Sequence, residues 1–311
     1  MNNTVLVSVV MITYKHEAYI KQAIEGVLMQ ETNFEYELII SDDCSPDLTK
    51  QVVDDIIANH KKGNKIKYFR HEKNVGMQNN SAFALLKCNA KYIAICEGDD
   101  YWIDPLKLQK QVDFLENNPN YSFCCHSYKI YNQEKNILLN EIHPTNLKID
   151  EKLKGKIINK INFHDEWMTQ PLTALIRHNE LKTVLKESDK FKYFRDFHTY
   201  YLLLNYGNGI CFNFIGGIYR QHAGGMHSGI DEHERLLKAL SIYEELYVYS
   251  KDKFFLKMYS KISLVLMKKR MENFSFNKKI LSKLMLKHKI YYLYSFFGSA
   301  YYLAKQKYIN S

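Results

Sequence analysis

The stretch Tyr92-Ile-Ala-Ile-Cys-Glu-Gly-Asp-Asp-Tyr-Trp102 decides how this chain is read. Tyr92 to Cys96 is a short apolar run with β-branched residues, the pattern of a buried strand. It ends on three carboxylates in four positions, Glu97, Asp99 and Asp100. A buried strand that delivers acids at its C-terminal edge puts them where open α/β sheets bind ligands. Carboxylates so close repel unless a cation lies between them, and oxygen-only ligation suits Mg²⁺ or Mn²⁺ rather than zinc. The plain alternative is a solvated acidic turn, with Asp104 capping a helix that Pro105 begins.

Working outward, Val5 to Thr13 is β-branched and apolar, a first strand. Ala18 to Gln30 turns to helical period, with Ile20, Ile24, Val27 and Leu28 on one face. Tyr36 to Ser41 is a second strand running into Asp42 and Asp43, after which Ser45 and Pro46 suit the start of a helix. Ile66 to Phe69 and Tyr92 to Cys96 follow as strands, with a helix over Ser81 to Lys87 between them. Alternating strands and helices predict an α/β fold, a doubly wound, mostly parallel sheet with helices on both faces. Tyr121 to Tyr131 and Gly209 to Tyr219 read as further strands, and Asp196 to Asn205 as a helix. Residues 132–165 are polar and irregular, an expected insertion or mobile loop. From Asp231 the pattern is helical only, so the expected division is a domain over 1–230 and an all-α extension over 231–311.

The 311 residues suffice for one large domain with an appendage, and the hydrophobic content of 46% is that of an ordinary core. The six cysteines have no metal-ligand spacing and lie mostly in apolar runs, which predicts reduced core residues of a cytoplasmic protein. The net charge of +9 is concentrated at one end. The segment from Lys251 to Ser311 carries 13 Lys and one Arg against Asp252 and Glu272, leaving the rest close to neutral. A basic, aromatic-rich tail calls for an anionic partner surface. The uncharged run from Ile290 to Ala304 is too short to span a bilayer, but it suits an interface. The alternative is a helical appendage packed on the main domain. No nucleic-acid module is present.

Two strands therefore end in acids facing one crevice. The first strand runs into Thr13-Tyr-Lys-His-Glu17, without the glycines of a dinucleotide site or a P-loop, so a backbone phosphate cradle is not expected. Val7-Ser-Val-Val-Met-Ile-Thr-Tyr14, Ser41-Asp-Asp-Cys-Ser-Pro-Asp47, Asn74-Val-Gly76 and Glu97-Gly-Asp-Asp-Tyr-Trp102 stand in the order and spacing of one family. In them the chain resembles the family-2 glycosyltransferases of the GT-A fold, strongly over roughly residues 5–130, more weakly to about 228, and not in the tail.

The resemblance implies inverting transfer from a nucleotide-diphosphate sugar, most simply a UDP-sugar, to a hydroxyl of a glycan or lipid-linked acceptor. It implies that Ile12, Thr13, Tyr14, Asp43 and Asp42, with Asn74, hold the nucleotide, and that Asp99 and Asp100 bind the Mn²⁺ or Mg²⁺. Glu97 stands where the family usually has Asp, with a role at the ribose or in the metal shell. Phe194-Arg-Asp-Phe197 resembles the family's catalytic element, making Asp196 the base, with Asp165 and Glu166 as weaker candidates; a helix cap is the other reading of Asp196. Tyr219-Arg-Gln-His222 resembles a late element in which Arg220 approaches the diphosphate and His222 the metal. Trp102 is an acceptor or diphosphate candidate or a core residue; Trp167 reads as core. The expected location is the cytoplasm, peripheral on the inner face of the membrane. A non-catalytic nucleotide-sugar or membrane-surface binding module is the rival from another class. A nucleotidyltransferase is a further rival, but it typically opens with a Gly-rich loop that this chain lacks.

Overall fold

In the computed structural model of the protein, residues 4–145, 147–163, 168–225 and 231–272 are described. The chain divides into two compact units, Met1–Glu187 with Thr199–Gly225, and Ser188–His198 with Met226–Ser311.

The first unit is built on a ten-stranded mixed sheet, with α/β architecture as predicted. Its first half is β1 (Val5–Thr13), α1 (Ile20–Leu28), β2 (Glu35–Asp42), α2 (Thr49–Asn59), β3 (Ile66–Arg70), α3 (Met77–Leu86) and β4 (Tyr92–Ile95). Then come β5 (Tyr101–Trp102), α4 (Lys107–Asn117), β6 (Tyr121–Asn132), β7 (Ile137–Leu138), β8 (Gly155–Ile158), β9 (Leu175–Arg177), α5 (His178–Leu185), α6 (Asp196–Leu203), whose first three residues are assigned to the second unit, and β10 (Asn208–Gln221). The strand order is β3-β2-β1-β4-β9-β6-β10-β5, with β7 on β6 and β8 on β10. β1, β2, β3 and β4 pair in parallel, whereas β9 runs antiparallel between β4 and β6. The chain leaves β1 toward β2 and β3, then returns to place β4 on the other side of β1. That reversal opens a crevice at the C-terminal ends of β1 and β4.

The β1 side chains Val7, Val9 and Met11 are fully buried, as are Ile20, Ile24 and Val27 of α1. Each such side chain contributes about 1.5–3 kcal/mol by leaving water. Gly26 of α1 is needed for close approach: a Cβ there would lie 2.8 Å from the Trp102 backbone nitrogen.

Several boundaries differ from the sequence reading. α2 begins at Thr49, and the Asp47 carboxylate accepts from its N–H; Ser45 Oγ instead accepts from the Lys15 N–H. α4 begins at Lys107, and Asp104 Oδ1 accepts from Leu106 N–H just ahead of it. α3 starts four residues before the expected Ser81, and the added turn contains Asn80, a buried polar residue whose amide is bonded to Ser41. The segment expected to be irregular contains β7 and β8, which at two and four residues are too short to show a period. Within and just after β7 the aliphatics Ile137, Leu138, Leu139 and Ile142 stand exposed.

In the second unit α7 (Glu232–Ser250) and α8 (Lys253–Glu272) pack through Leu240, Tyr259, Ile262 and Leu266. Lys253, Lys257 and Lys261 are exposed at i, i+4 spacing, on one face of α8. Among the described residues no helix is long and apolar enough to cross a membrane. The aromatic run from Ile290 to Ala304 lies outside the described residues, as do Asp165, Glu166 and Trp167. None of the six cysteines forms a disulfide, and all but Cys44 are buried.

Lys107 is a fully buried cation, with Nζ 3.7 Å above the Trp102 ring and 3.5 Å from the Ala174 carbonyl oxygen. Burial lowers its pKa to about 7. Between about pH 7 and pH 10 the unfolded chain binds a proton at this group that the folded chain does not. Stability should therefore rise with pH across that window, the penalty being complete below it. Lys107→Met should stabilise the fold at pH 7 by about 1–4 kcal/mol and flatten the slope. Urea unfolding at pH 7 and pH 9 checks both; an unchanged slope in the variant contradicts the assignment.

Candidate active site

The site forms where β1, β2 and β4 end. Cys96 N–H and Gly98 N–H donate to Val10 and Ile12 carbonyl oxygens, so the acidic turn continues alongside β1. Gly98 is the second position that requires glycine, since a Cβ would stand 2.9 Å from both His16 Nδ1 and Thr13 Oγ1. The loop after β1 is stitched to the loop after β2: Lys15, His16 and Glu17 N–H groups donate to Ser45, Thr49 and Asp47, and Leu48 N–H donates to Glu17. Lys15 and Cys44, one in each loop, both have φ near 60°.

Asp43 organises the neighbouring wall. Its two carboxylate oxygens accept from Val75 N–H at 2.6 Å and Gly76 N–H at 3.0 Å, and Asn74 Nδ2 donates to its carbonyl. Its own N–H donates to Thr13 O. Tyr14 is exposed beside it in sequence, and Ile12 is half-buried. Asp42 differs from the expectation that it holds the nucleotide. It is fully buried, accepts from Ser45 N–H and Tyr68 Oη, and faces Arg70 at 3.6 Å. Those partners make it a structural carboxylate of the β2 end.

The acids of the turn meet two histidines and an arginine. His222 Nε2 lies 3.1 Å from Asp99 Oδ2, and His16 Nε2 lies 3.9 Å from the same oxygen. Glu97, Asp99 and Asp100 can each offer an oxygen within 4.8 Å of the others, and so can His16, Asp99 and His222 with one atom each. Asp100 is buried; its Oδ1 accepts from Arg220 N–H at 2.8 Å while Oδ2 is buried without a partner. Burial, then the charges of Asp99 and Glu97, push the Asp100 carboxyl well above the usual carboxylate range. Burial also opposes the charge of Asp99, but the hydrogen bond from His222 and the nearness of His16 bring its pKa below the ordinary value. Burial lowers the His16 pKa, against the pull of Asp99. The imidazole is thereby biased toward its neutral, metal-competent form.

Two side chains expected at the substrate are enclosed by protein. Arg220 was expected at the diphosphate. It is 7% exposed and braces the acidic turn, with Nε donating to Asp99 O at 2.8 Å and the two Nη groups held by Gln133 and Gln22. Tyr19, Tyr101 and Tyr131 surround its guanidinium. Trp102 is 2% exposed, donates from Nε1 to Leu172 O, and lies under Lys107, so it is core and presents no face to a sugar. Asp196 is exposed in the first turn of α6 and belongs to the second unit. Sequence reasoning does not single out His16, Tyr19 and Gln22, whose partners Asp99, His222 and Arg220 lie far along the chain.

The sequence profile described as Glycosyl transferase family 2 matches residues 8–189, more than half of the chain and all of the acidic strand ends. The chain belongs to glycosyltransferase family 2. A putative teichuronic acid biosynthesis glycosyltransferase of Bacillus subtilis, TuaG, is 34% identical over 156 residues, 49% of this chain and 59% of TuaG. The chain spans between 35% and 60% of the length of the first curated relatives it matches. Among solved structures, Staphylococcus aureus TarS 1–349 in complex with UDP-GlcNAc superposes with a TM-score of 0.59 at 17% identity, covering 93% of this chain and 79% of that one. The mannosyltransferase PcManGT of Pyrobaculum calidifontis, in complex with GDP-Man and Mn²⁺, superposes with 0.55 at 12% identity, covering 93% and 82%. At these identities the likeness carries the fold, which is that of the GT-A glycosyltransferases.

A divalent cation suits the residues present in this family-2 glycosyltransferase. The buried, unpartnered Asp100 Oδ2 beside two further carboxylates is an arrangement that burial disfavours and a cation relieves. Asp99, Asp100 and His222 are the groups that would hold it.

Proposed function

We propose that the chain transfers a sugar, with inversion, from a nucleotide-diphosphate sugar to a hydroxyl of a glycan or lipid-linked acceptor in cell-surface polysaccharide synthesis. The observation that carries this reading is that Asp99, at the β1/β4 reversal, meets Asp100 and Glu97 on one side and His222 and His16 on the other. In the reaction the acceptor oxygen bonds to the anomeric carbon and the bond from that carbon to the diphosphate oxygen breaks. The acceptor proton passes to a carboxylate, which we assign to Asp196, and the nucleoside diphosphate leaves with the electron pair. A bound Mn²⁺ or Mg²⁺ supplies neutralisation of the charge that grows on the leaving diphosphate. Asp43, Asn74, Thr13, Tyr14 and Ile12 frame the nucleotide side, with Glu97 next to the metal acids.

A UDP-sugar is the favoured donor, as the UDP-GlcNAc complex of TarS supports; the GDP-Man complex of PcManGT makes a GDP-sugar the second choice. The Mn²⁺ of that complex supports the cation, and the name of TuaG supports a cell-wall polymer as product. The exposed aliphatics Ile137, Leu138, Leu139 and Ile142 follow Gln133, which Arg220 holds, and they favour an acceptor with an apolar portion. The exposed lysine face of α8 is consistent with a peripheral position on an anionic inner membrane surface, in the cytoplasm where nucleotide sugars are made.

The test is release of nucleotide from a panel of UDP-, GDP- and dTDP-sugars with Mn²⁺ and no acceptor. A transferase leaks sugar to water slowly, so release from one donor class, abolished by EDTA, is expected. A protein that binds a donor tightly yet releases no nucleotide from it would be a binding module instead.

A further inference from the structure

We propose that His16 is a direct ligand of the cation, which makes the site one of two imidazoles with carboxylate oxygens and selects Mn²⁺ over Mg²⁺. This rests on the metal-assisted donor site proposed above, and it adds a residue from the loop after β1 to that site.

Three atoms define the opening. His222 Nε2 and His16 Nε2 stand 3.1 Å and 3.9 Å from one oxygen, Asp99 Oδ2. One ligand atom from each residue falls within 4.8 Å of the other two. A six-coordinate ion with ligands at about 2.1 Å sets adjacent ligands roughly 3 Å apart and opposite ones roughly 4.2 Å apart. The separations of 3.1 Å and 3.9 Å from Asp99 Oδ2 fall between those of adjacent and opposite ligands, so one ion can be shared by the three groups after side-chain adjustment. The two imidazoles meet edge to face, with centroids 6.1 Å apart and planes at 87°.

The ring of His16 is held for this position. The His16 backbone N–H donates to Thr49 Oγ1, and its carbonyl accepts from Tyr19 and Ile20 N–H groups as the chain enters α1. Gly98 lies against Nδ1, and Tyr19 flanks both rings, with its centroid 6.2 Å from His16 and 4.8 Å from His222. A core histidine would ordinarily satisfy its nitrogens by hydrogen bonds. Nδ1 of His16 is instead buried without a partner, and the 3.9 Å from Nε2 to Asp99 is too long for a hydrogen bond. An ion between Nε2 and Asp99 gives Nε2 a partner, while Nδ1 stays packed against Gly98.

The ligand chemistry sets the preference. Mg²⁺ demands near-ideal octahedral oxygen ligation and sheds water reluctantly, so replacing two oxygens by imidazole nitrogens disfavours it against a first-row transition ion, of which Mn²⁺ is the first in the affinity order. Co²⁺, which follows Mn²⁺ in the ordering of affinities, should bind more tightly still. Because His16 sits on the loop stitched to Asp47 and Thr49, the ion would also tie the nucleotide-side loop to the acidic turn.

The experiment is Mn²⁺ titration of the full chain with UDP present, read by electron paramagnetic resonance, with Mg²⁺ as competitor. Wild type should bind Mn²⁺ at least tenfold more tightly than Mg²⁺, and the electron spin echo should carry nitrogen coupling from two imidazoles. His16→Ala should weaken Mn²⁺ binding by about 10–100-fold, shift Mg²⁺ affinity by less than about threefold, and leave one coupled imidazole. Unchanged Mn²⁺ affinity in folded His16→Ala, or coupling from a single imidazole in wild type, overturns the proposal while leaving the metal site of the proposed function intact. The wild-type spectrum decides the matter even if the variant fails to fold. Wild type that binds UDP but no Mn²⁺ overturns the metal-assisted reading itself.

Discussion

Asp99→Asn should leave a folded protein whose transfer rate is lower by about 10³-fold. Asp99 is the residue shared by both groups of candidate ligands, so its charge is the one the cation cannot replace. Loss of a group that stabilises charge developing on a leaving diphosphate costs several kcal/mol of barrier, which is the origin of the factor. The fold should tolerate the change. Arg220 braces the turn through the Asp99 carbonyl, which Asn retains, and the side chain is partly exposed. The substitution removes one of three mutually repelling carboxylates but also the charge that His222 holds, so the unfolding free energy should move by no more than about 1 kcal/mol. Asp100→Asn would be a poorer probe, since Asp100 is buried and bonded to the Arg220 N–H, and folding and chemistry would change together. The checks are transfer kinetics beside a thermal melt. Near wild-type turnover in folded Asp99→Asn contradicts the assignment of the metal acids.

Asp196→Asn is the second large effect. An acceptor hydroxyl loses its proton as it attacks, and a positioned carboxylate contributes about 10²–10⁴-fold to such a step. Asp196 opens α6, where a negative charge favours the helix by about 0.3–1 kcal/mol. Asn keeps the size and loses only that small term. If Asp196 is the base, the variant binds donor normally, melts close to wild type and loses turnover by that factor. If it serves only the helix, stability falls slightly and turnover is unchanged. The second result would move the base to Asp165 or Glu166.

The frame of the site was legible because its signals are local. The apolar run of β1, the apolar run of β4 and the acids at both strand ends are visible within windows of about ten residues, and they set the fold and the place of the crevice. What was not legible depends on partners far along the chain. Arg220 looks like a phosphate ligand until its guanidinium is seen between Gln22 and Gln133, and Trp102 looks like a stacking face until Leu172 and Lys107 close over it. Asp42 and Asp43 are adjacent and chemically identical, yet one is enclosed by Tyr68, Arg70 and Ser45 while the other holds the 74–76 loop. His16 escaped notice because its partners are 83 and 206 positions away, at Asp99 and His222. The strand pattern of β7, β8 and β9 was hidden for a different reason: at two to four residues they carry no period, and pairing with β6 and β10 or with β4 and β6 defines them.

The central claim is that this crevice holds a nucleoside diphosphate through a divalent cation. Calorimetric titration of UDP into the full chain, once with Mn²⁺ and once with EDTA, tests it most directly. Binding at least tenfold tighter with Mn²⁺ is the expected result, because the acids and imidazoles that meet in the crevice would bridge to a diphosphate only through a cation. Equal UDP affinity in Mn²⁺ and in EDTA would contradict it.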